Sequence, residues 1–405
     1  MTTGGVVIVG GGIGGVSTAI ALRSGGFTGD VTLVDAGAFP YDRPPLSKEF
    51  LEGKKRLDDI SLQPPQWYDD NKIRLLTKTT AAALHPSTGE VELSDGTRVR
   101  ADRVVLATGG RAARPPIPGV DSRRVHVLRT LTDAERLRTA LRPGARVLVV
   151  GAGLIGAEVA STAVALGCEV VLVDPVLPPL AGAVGAEIAT WLHDLHDKHG
   201  IVTLRSGVAS MLETPSGIDV YLTSSDTILR FDAVVLGVGM IAETSLAESA
   251  GLDVDAGIIV DRTQTTSNPA VLAVGDPARV RHEGALLRRT EHWEAAQHDG
   301  RRAAAAILGI APPVVTAPWF WTDRHHLHVE AVGSIADAER TVYRGVLGAV
   351  PFAAFGVTAG RVVGAVAVGD SQAVRAARRL IDRAVVVDPD RLADPATDLR
   401  KLLRG

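Results

Sequence analysis

Two glycine runs in this chain have the spacing that can hold a dinucleotide pyrophosphate. One is Val6-Val7-Ile8-Val9-Gly10-Gly11-Gly12-Ile13-Gly14-Gly15, and the other is Val147-Leu148-Val149-Val150-Gly151-Ala152-Gly153-Leu154-Ile155-Gly156. In each, an apolar strand runs into G-x-G-x-x-G and then into a helical stretch. The glycines allow a tight turn and close backbone approach to the pyrophosphate. The helix N-terminus behind them, with its free N–H groups and dipole, favours an anion. A second apolar strand then closes each unit with a carboxylate, Asp35 after the first run and Asp174 after the second. An acid about 20 residues beyond the glycines can accept from ribose hydroxyls. With full strand–helix–strand context present twice, the chain is expected to hold two dinucleotides.

The elements that position these loops follow from the apolar periodicity. Val104-Val105-Leu106-Ala107-Thr108-Gly109-Gly110 and Ala233-Val234-Val235-Leu236-Gly237-Val238-Gly239 are buried strands ending in small residues, as at the cofactor end of a parallel sheet. Ser94-Asp95-Gly96-Thr97 is a turn between short strands, and the Pro/Arg-rich stretch around Arg111, Arg114, Pro115, Pro116 and Pro118 marks a boundary. Val271-Leu272-Ala273-Val274-Gly275-Asp276 returns the chain to the first domain, and a helix is expected from Glu291 to Leu308 with Thr290 as its N-cap. The fold class is α/β: two Rossmann-like dinucleotide-binding domains plus a C-terminal α+β domain. Expected boundaries are 1–112 and 241–317 for the first nucleotide domain, 113–240 for the second and 318–405 for the third. The last domain should finish in a helix near residues 372–383.

Bulk composition narrows the function. The 405 residues carry 46% hydrophobic and 22% charged side chains, ordinary for a globular protein. A net charge of −3 offers no global attraction to nucleic acid or to an anionic membrane. Residues 345–360 are uncharged but glycine-interrupted, short of a membrane-spanning helix, and read as paired strands. The start of the chain lacks a basic n-region, so a cytoplasmic location is expected. Cys168 is the one cysteine, set between a helix end and a strand start, which excludes dithiol chemistry within one chain.

In this order the motifs resemble the FAD-dependent NADH:ferredoxin reductases of oxygenase systems, members of the two-dinucleotide-binding-domain flavoprotein family. The residues carrying the resemblance are Tyr41-Asp42-Arg43-Pro44-Pro45-Leu46-Ser47-Lys48, Ala107-Thr108-Gly109-Gly110-Arg111, Leu128-Arg129-Thr130-Leu131, Ala157-Glu158 after the second glycine run, Ala273-Val274-Gly275-Asp276 and Pro318-Trp319-Phe320-Trp321. The resemblance implies FAD held by Gly10, Gly12, Gly14, Gly15, Asp35, Lys48, Ala81, Arg129, Asp276 and Trp293. It implies NAD(H) on Gly151, Gly153, Ile155, Gly156, Asp174 and Gly239. Lys48 and Glu158 would act as a catalytic pair beside the flavin and nicotinamide, an ammonium there raising the flavin's electron affinity. The implied reaction takes electrons from NADH through FAD to a [2Fe–2S] ferredoxin that feeds an oxygenase. Reduction of a small acceptor such as a quinone is the alternative, and a redox-sensing flavoprotein a further one.

Three departures from the family pattern stand out: Asp323-Arg324-His325-His326-Leu327-His328 after the Trp pair, few aromatics around Phe352 to Gly356, and Asp35 where Glu is commoner. If the histidine segment is a strand, His326 and His328 share a face and His325 points away, with no partner cluster apparent and no metal expected. Arginines between Arg279 and Arg302, and Arg375, Arg378, Arg379 and Arg383, could steer an acidic ferredoxin.

Overall fold

Short β-branched strands buried on both faces set the architecture. The computed structural model describes residues 4–176, 178–224 and 226–404, which divide into two compact units. The first comprises Met1–Pro44, Lys55–Arg111 and Met240–Val315, and the second Pro45–Lys54, Ala112–Gly239 and Thr316–Gly405. Pro45–Lys54, with Lys48 in it, therefore packs with the second glycine run.

In the first unit a five-stranded sheet runs in the order Val271–Ala273, Arg103–Leu106, Val6–Val9, Val31–Val34, Ile73–Leu76, all parallel. Strand Val271–Ala273 hydrogen-bonds to Arg103–Leu106, so the chain does return to this sheet. Ser94 to Thr97 does form the turn between strands Glu90–Leu93 and Arg98–Arg100. Helix Ile13–Ser24 crosses between the first two strands of the βαβ unit and packs on helix Trp293–Leu308. Gly300 permits that approach: a Cβ there would lie 2.5 Å from the Gly14 carbonyl oxygen and 2.9 Å from the Thr18 nitrogen. The helix starts at Trp293 with His292 as N-cap, two residues later than the cap preference of Thr290 suggests. The Trp293 indole N–H, donating to Asp42 Oδ1 at 2.7 Å, anchors this first turn instead of a side-chain cap.

The second unit repeats the plan with the order Val202–Arg205, Glu169–Asp174, Arg146–Val150, Ala233–Leu236, Val125–Val127, again all parallel. Beside it stands an antiparallel sheet, Trp319–Arg324, Leu327–Gly333, Arg361–Val368, Phe352–Thr358, Arg340–Arg344. Both of its faces are covered. Phe355, Val357 and Ala365 meet helix Ser371–Asp382 through Ala373, Val374, Ala377 and Leu380. Phe352, Ala354 and Val366 meet helix Ala186–Lys198 through Ile188 and Leu192. A strand buried on two sides reads as a continuous apolar run, which is why few polar residues interrupt residues 352–358. Of the uncharged stretch 345–360, only Phe352–Thr358 is strand, paired on both sides. The last domain does not finish in helix Ser371–Asp382: a short helix, Pro389–Ala393, and a 3-10 helix, Leu399–Arg404, follow it.

The histidine segment is not one strand. His325 and His326 have φ of 51° and 61° and form the two-residue turn between Trp319–Arg324 and Leu327–Gly333. Such a left-handed pair matches the twist of an antiparallel hairpin, so both side chains leave the sheet at its end. Among the described residues no helix is long and apolar enough to cross a membrane.

Gly300→Ala should push helix Trp293–Leu308 off helix Ile13–Ser24 and cost about 1–3 kcal/mol, the usual penalty of overpacking. Thermal unfolding checks this; an unaltered melting temperature would show that the helices tolerate the extra methyl.

Candidate functional site

The two glycine loops have the same backbone design. Gly10 and Gly151 have φ of 115° and 96°, and a Cβ at either would lie 2.1 Å or 2.5 Å from a carbonyl oxygen of the neighbouring strand's end. Gly15 and Gly156 must also lack a Cβ, which would fall 2.0 Å and 1.9 Å from the carbonyl oxygens of Gly10 and Gly151. Gly12 and Gly153 cap the two helices, and a Cβ on Gly153 would meet nothing within 4 Å. An open cradle at a helix N-terminus is the space a pyrophosphate needs. Gly14 is buried, while Ile155 at the equivalent place is 44% exposed.

The closing acids are fixed by backbone. Asp174 Oδ2 accepts from Ala152 N and Oδ1 from Val176 N, each at 2.8 Å, so the carboxylate is braced against its own glycine loop. Asp35 Oδ1 accepts from Gly37 N at 3.2 Å. Burial pushes the Asp35 pKa up, opposed by the N–H groups of Gly37 and Gly11 and by Arg43. The remaining expected nucleotide residues are spread over both units. Ala81 opens strand Ala81–His85. Asp276 is half-buried beyond strand Val271–Ala273, its carbonyl accepting from Arg289 Nη1 at 2.7 Å. Arg129, in the second unit, precedes the helix that Thr130 and Asp133 close with a capping box. Gly239 has φ of 103° with open space around it.

Lys48 and Glu158 do meet, and the sequence reading captured only part of their surroundings. Glu158, in the second turn of helix Leu154–Ala165, is 4% exposed. Its Oε2 accepts from Ser47 Oγ at 2.5 Å; its Oε1 accepts from Thr322 Oγ1 at 2.8 Å and Asp323 N at 3.2 Å. Lys48 Nζ lies 3.4 Å from Glu158 Oε1, 2.8 Å from Asp323 Oδ2 and 5.1 Å from the Trp321 ring centroid. Burial drives the Glu158 pKa upward, and Lys48, Ser47, Thr322 and Arg324 oppose it. Burial also acts to raise Asp323, but hydrogen bonds from Lys48 and His328 outweigh it and hold that carboxyl below its ordinary value. His328 Nδ1 is 2.5 Å from Asp323 Oδ1, carrying the network to the surface. A cleft of about 330 Å³ opens here, lined by Lys48, His199, Asp323, His325 and His328 among others.

Arg324 and a histidine cluster behind it were missed. Arg324 is buried, reaches Thr322 Oγ1 at 3.4 Å and has its pKa lowered to about 10 by burial, with Glu158 resisting. His325 Nε2 lies 3.0 Å from His196 Nδ1, and the His325 ring stacks on His199 with centroids 4.1 Å apart. So His325 does have partner imidazoles, supplied by helix Ala186–Lys198 and its C-cap. Nothing in the sequence brings that helix to the hairpin. Among the described residues no group of three or more potential ligands is arranged for a metal.

A family model described as pyridine nucleotide-disulphide oxidoreductase matches residues 4–300, and one described as reductase C-terminal matches residues 319–403. The chain belongs to the pyridine nucleotide-disulphide oxidoreductase family. Rhodocoxin reductase of Rhodococcus erythropolis is 33% identical to this oxidoreductase over 98% of the chain and 93% of its own length. The ferredoxin–NAD(+) reductase component of the anthranilate 1,2-dioxygenase system of Burkholderia cepacia is 35% identical over 98% of each. Putidaredoxin reductase, solved in a covalent complex with putidaredoxin, superposes with a TM-score of 0.92 at 32% identity, covering 100% of this chain and 99% of that one. The oxidoreductase has one cysteine, Cys168, buried with Sγ 3.4 Å from the Arg142 carbonyl oxygen. The family's disulphide chemistry is therefore not available within this chain.

The imidazole cluster should make this oxidoreductase acid-sensitive. Burial, aided by Arg324 and neighbouring imidazoles, lowers His196 to about 2; burial, His199 and Arg324 lower His325 to about 4. Both are neutral in the fold and would protonate near 6.5 when unfolded. Their contribution is complete above that value and is lost as pH falls from 6.5 toward 4, because the unfolded chain then binds more protons. The melting temperature should drop by several degrees between pH 7 and pH 5. His325→Asn, which suits the left-handed turn, should flatten that slope; an equally steep slope in the variant would remove His325 from the account.

Proposed function

We propose that this protein is an NADH-dependent ferredoxin reductase, carrying electrons from NADH through FAD to a [2Fe–2S] ferredoxin that serves an oxygenase. Similarity to ferredoxin–NAD(+) reductases along almost the whole chain carries the reading. Two dinucleotide cradles in a one-cysteine chain supply its physical support. FAD and NAD(H) are the cofactors. We assign FAD to the first unit through Gly10, Gly12, Gly14, Gly15, Asp35, Ala81, Asp276 and Trp293. We assign NADH to the second through Gly151, Gly153, Ile155, Gly156, Asp174 and Gly239. Bound flavin supplies the conversion between NADH, which gives electrons in pairs, and an iron–sulfur centre, which takes them singly.

The chain's own residues have separable tasks. The glycine loops present N–H groups to the pyrophosphates. Asp35 and Asp174 accept ribose hydroxyls. The N-terminus of helix Trp293–Leu308, held by the Trp293–Asp42 hydrogen bond, presents a positive dipole end that favours negative charge. Lys48 sets a cation whose position Glu158 and Asp323 fix. We place the reaction in the cytoplasm.

For the ferredoxin we assign the exposed arginines as steering charges. Arg301 is exposed and donates to Gln297 Oε1 at 2.9 Å, whereas Arg302 lies 3.4 Å from Asp299. Arg302 is thus committed to half-buried Asp299, whose carboxyl burial pushes up to about 6, and is a poor probe of docking. Arg375, Arg379 and Arg383 are exposed on and beyond the C-terminal helix, and Arg378 donates to Thr316 Oγ1 at 2.7 Å.

NADH-dependent cytochrome c reduction with a panel of [2Fe–2S] ferredoxins tests the reading. One ferredoxin should raise the rate well above the ferredoxin-free value, and its second-order rate should fall steeply with salt, since the Debye length is only about 10 Å at 0.1 M. Arg301→Glu should slow that step severalfold and leave ferricyanide reduction alone. If no ferredoxin is reduced faster than a small quinone at equal concentration, the small-acceptor reading replaces this one.

A further inference from the structure

One cation beside the second acid has no task in the reaction. Arg205 ends strand Val202–Arg205, the edge strand of the second parallel sheet, and stands in register with Asp174 on the adjacent strand. Parallel neighbours lie about 4.8 Å apart, so this arginine leaves the sheet at the place where Asp174 does. Its Nε donates to the Pro175 carbonyl oxygen at 3.4 Å, holding the exposed guanidinium over the turn that follows Asp174. Yet the two charges do not pair. Asp174 gives one oxygen to Ala152 N and the other to Val176 N, which keep the carboxylate turned to its glycine loop. Two acids of helix Ala186–Lys198 are engaged elsewhere: Asp197 accepts from Thr203 Oγ1 at 3.0 Å, and Glu187 from the Tyr343 hydroxyl at 2.5 Å.

We propose that Arg205 is a specificity-determining residue, a latent anchor for the 2′-phosphate of NADPH that Asp174 overrides. A guanidinium offers planar, paired donors suited to phosphate oxygens and stays charged at every working pH. An acid that accepts the ribose 2′-hydroxyl repels a phosphate in the same place. With the acid braced by two N–H groups and the arginine braced by a carbonyl, the native balance favours NADH. Removal of one negative charge leaves the arginine facing the 2′ position without opposition. The sequence offered no sign of this, because no Lys or Arg lies between Asp174 and Glu187 and Arg205 comes from the next strand.

The inference rests on the assignment of Asp174 to the adenosine ribose, and its test separates the two. Calorimetric titration of the FAD-loaded enzyme with 5′-AMP and with 2′,5′-ADP, which differ by the 2′-phosphate alone, reads the preference without catalysis. The native enzyme should bind 5′-AMP at least tenfold tighter than 2′,5′-ADP. Asp174→Asn, which keeps an acceptor for the loop N–H, should reverse that ratio, and kcat/KM for NADPH should rise in parallel. Adding Arg205→Ala to Asp174→Asn should bring the ratio back by tenfold or more. If Asp174→Asn reverses the ratio and Arg205→Ala then weakens both probes equally, Arg205 serves the adenine and the proposal is overturned. If Asp174→Asn leaves the ratio untouched, the ribose assignment itself is wrong, and the proposal falls with it.

Discussion

A buried carboxylate organises the second unit. Glu158 is almost wholly removed from water, and an ionised group there is costly unless charge and hydrogen bonds compensate it. Three stretches far apart in sequence meet here, two of them bringing the compensation. Pro45–Lys54 brings the Ser47 hydroxyl and the Lys48 ammonium, helix Leu154–Ala165 brings the acid, and strand Trp319–Arg324 brings the Thr322 hydroxyl and the Asp323 N–H. Thr162 Oγ1 adds a bond to the Ser47 carbonyl at 2.8 Å, one helical turn beyond Glu158. The segment carrying Lys48 is thereby held at both its side chains and its backbone. Lys48 itself has little freedom left, with Asp323 on one side and the Trp321 face on another.

The two glycine loops share a backbone but differ where one residue type differs. Helix Trp293–Leu308 closes on the first loop at Gly14, because Gly300 has no Cβ to meet the Gly14 carbonyl oxygen. Ile155 occupies the matching place in the second loop, and its side chain stands in solvent at the helix start. The first cradle is therefore walled by a second helix and the second is open. That contrast suits a cofactor retained through turnover in the one and a nucleotide exchanged every cycle in the other.

Local pattern made the parallel sheets, both cradles and their closing acids legible, because each rests on residues within one βαβ unit. The Lys48–Glu158 pairing was legible through the family resemblance alone; nothing near either residue in the chain announces the other. Ser47, Thr322 and Arg324 carry no sequence signal, since their roles exist only once strand Trp319–Arg324 lies against helix Leu154–Ala165. The histidines went wrong for a definite reason. A two-residue turn is usually marked by Asn or Gly, which tolerate positive φ, and here two histidines accept that conformation while His325 gains contact with His196 and His199. The start of helix Trp293–Leu308 was misplaced similarly, because cap preference at Thr290 is a local rule and the indole bond to Asp42 is not.

Stopped-flow reduction of the FAD-loaded enzyme by saturating NADH, comparing native protein with Lys48→Ala, tests the role of this network most directly. The variant should retain FAD and fold normally, pass hydride at least tenfold more slowly (a barrier higher by about 1.4 kcal/mol) and show a lower flavin midpoint potential. A rate and potential both equal to the native values would contradict it, leaving Lys48 and Glu158 as a structural ion pair with no part in the reaction.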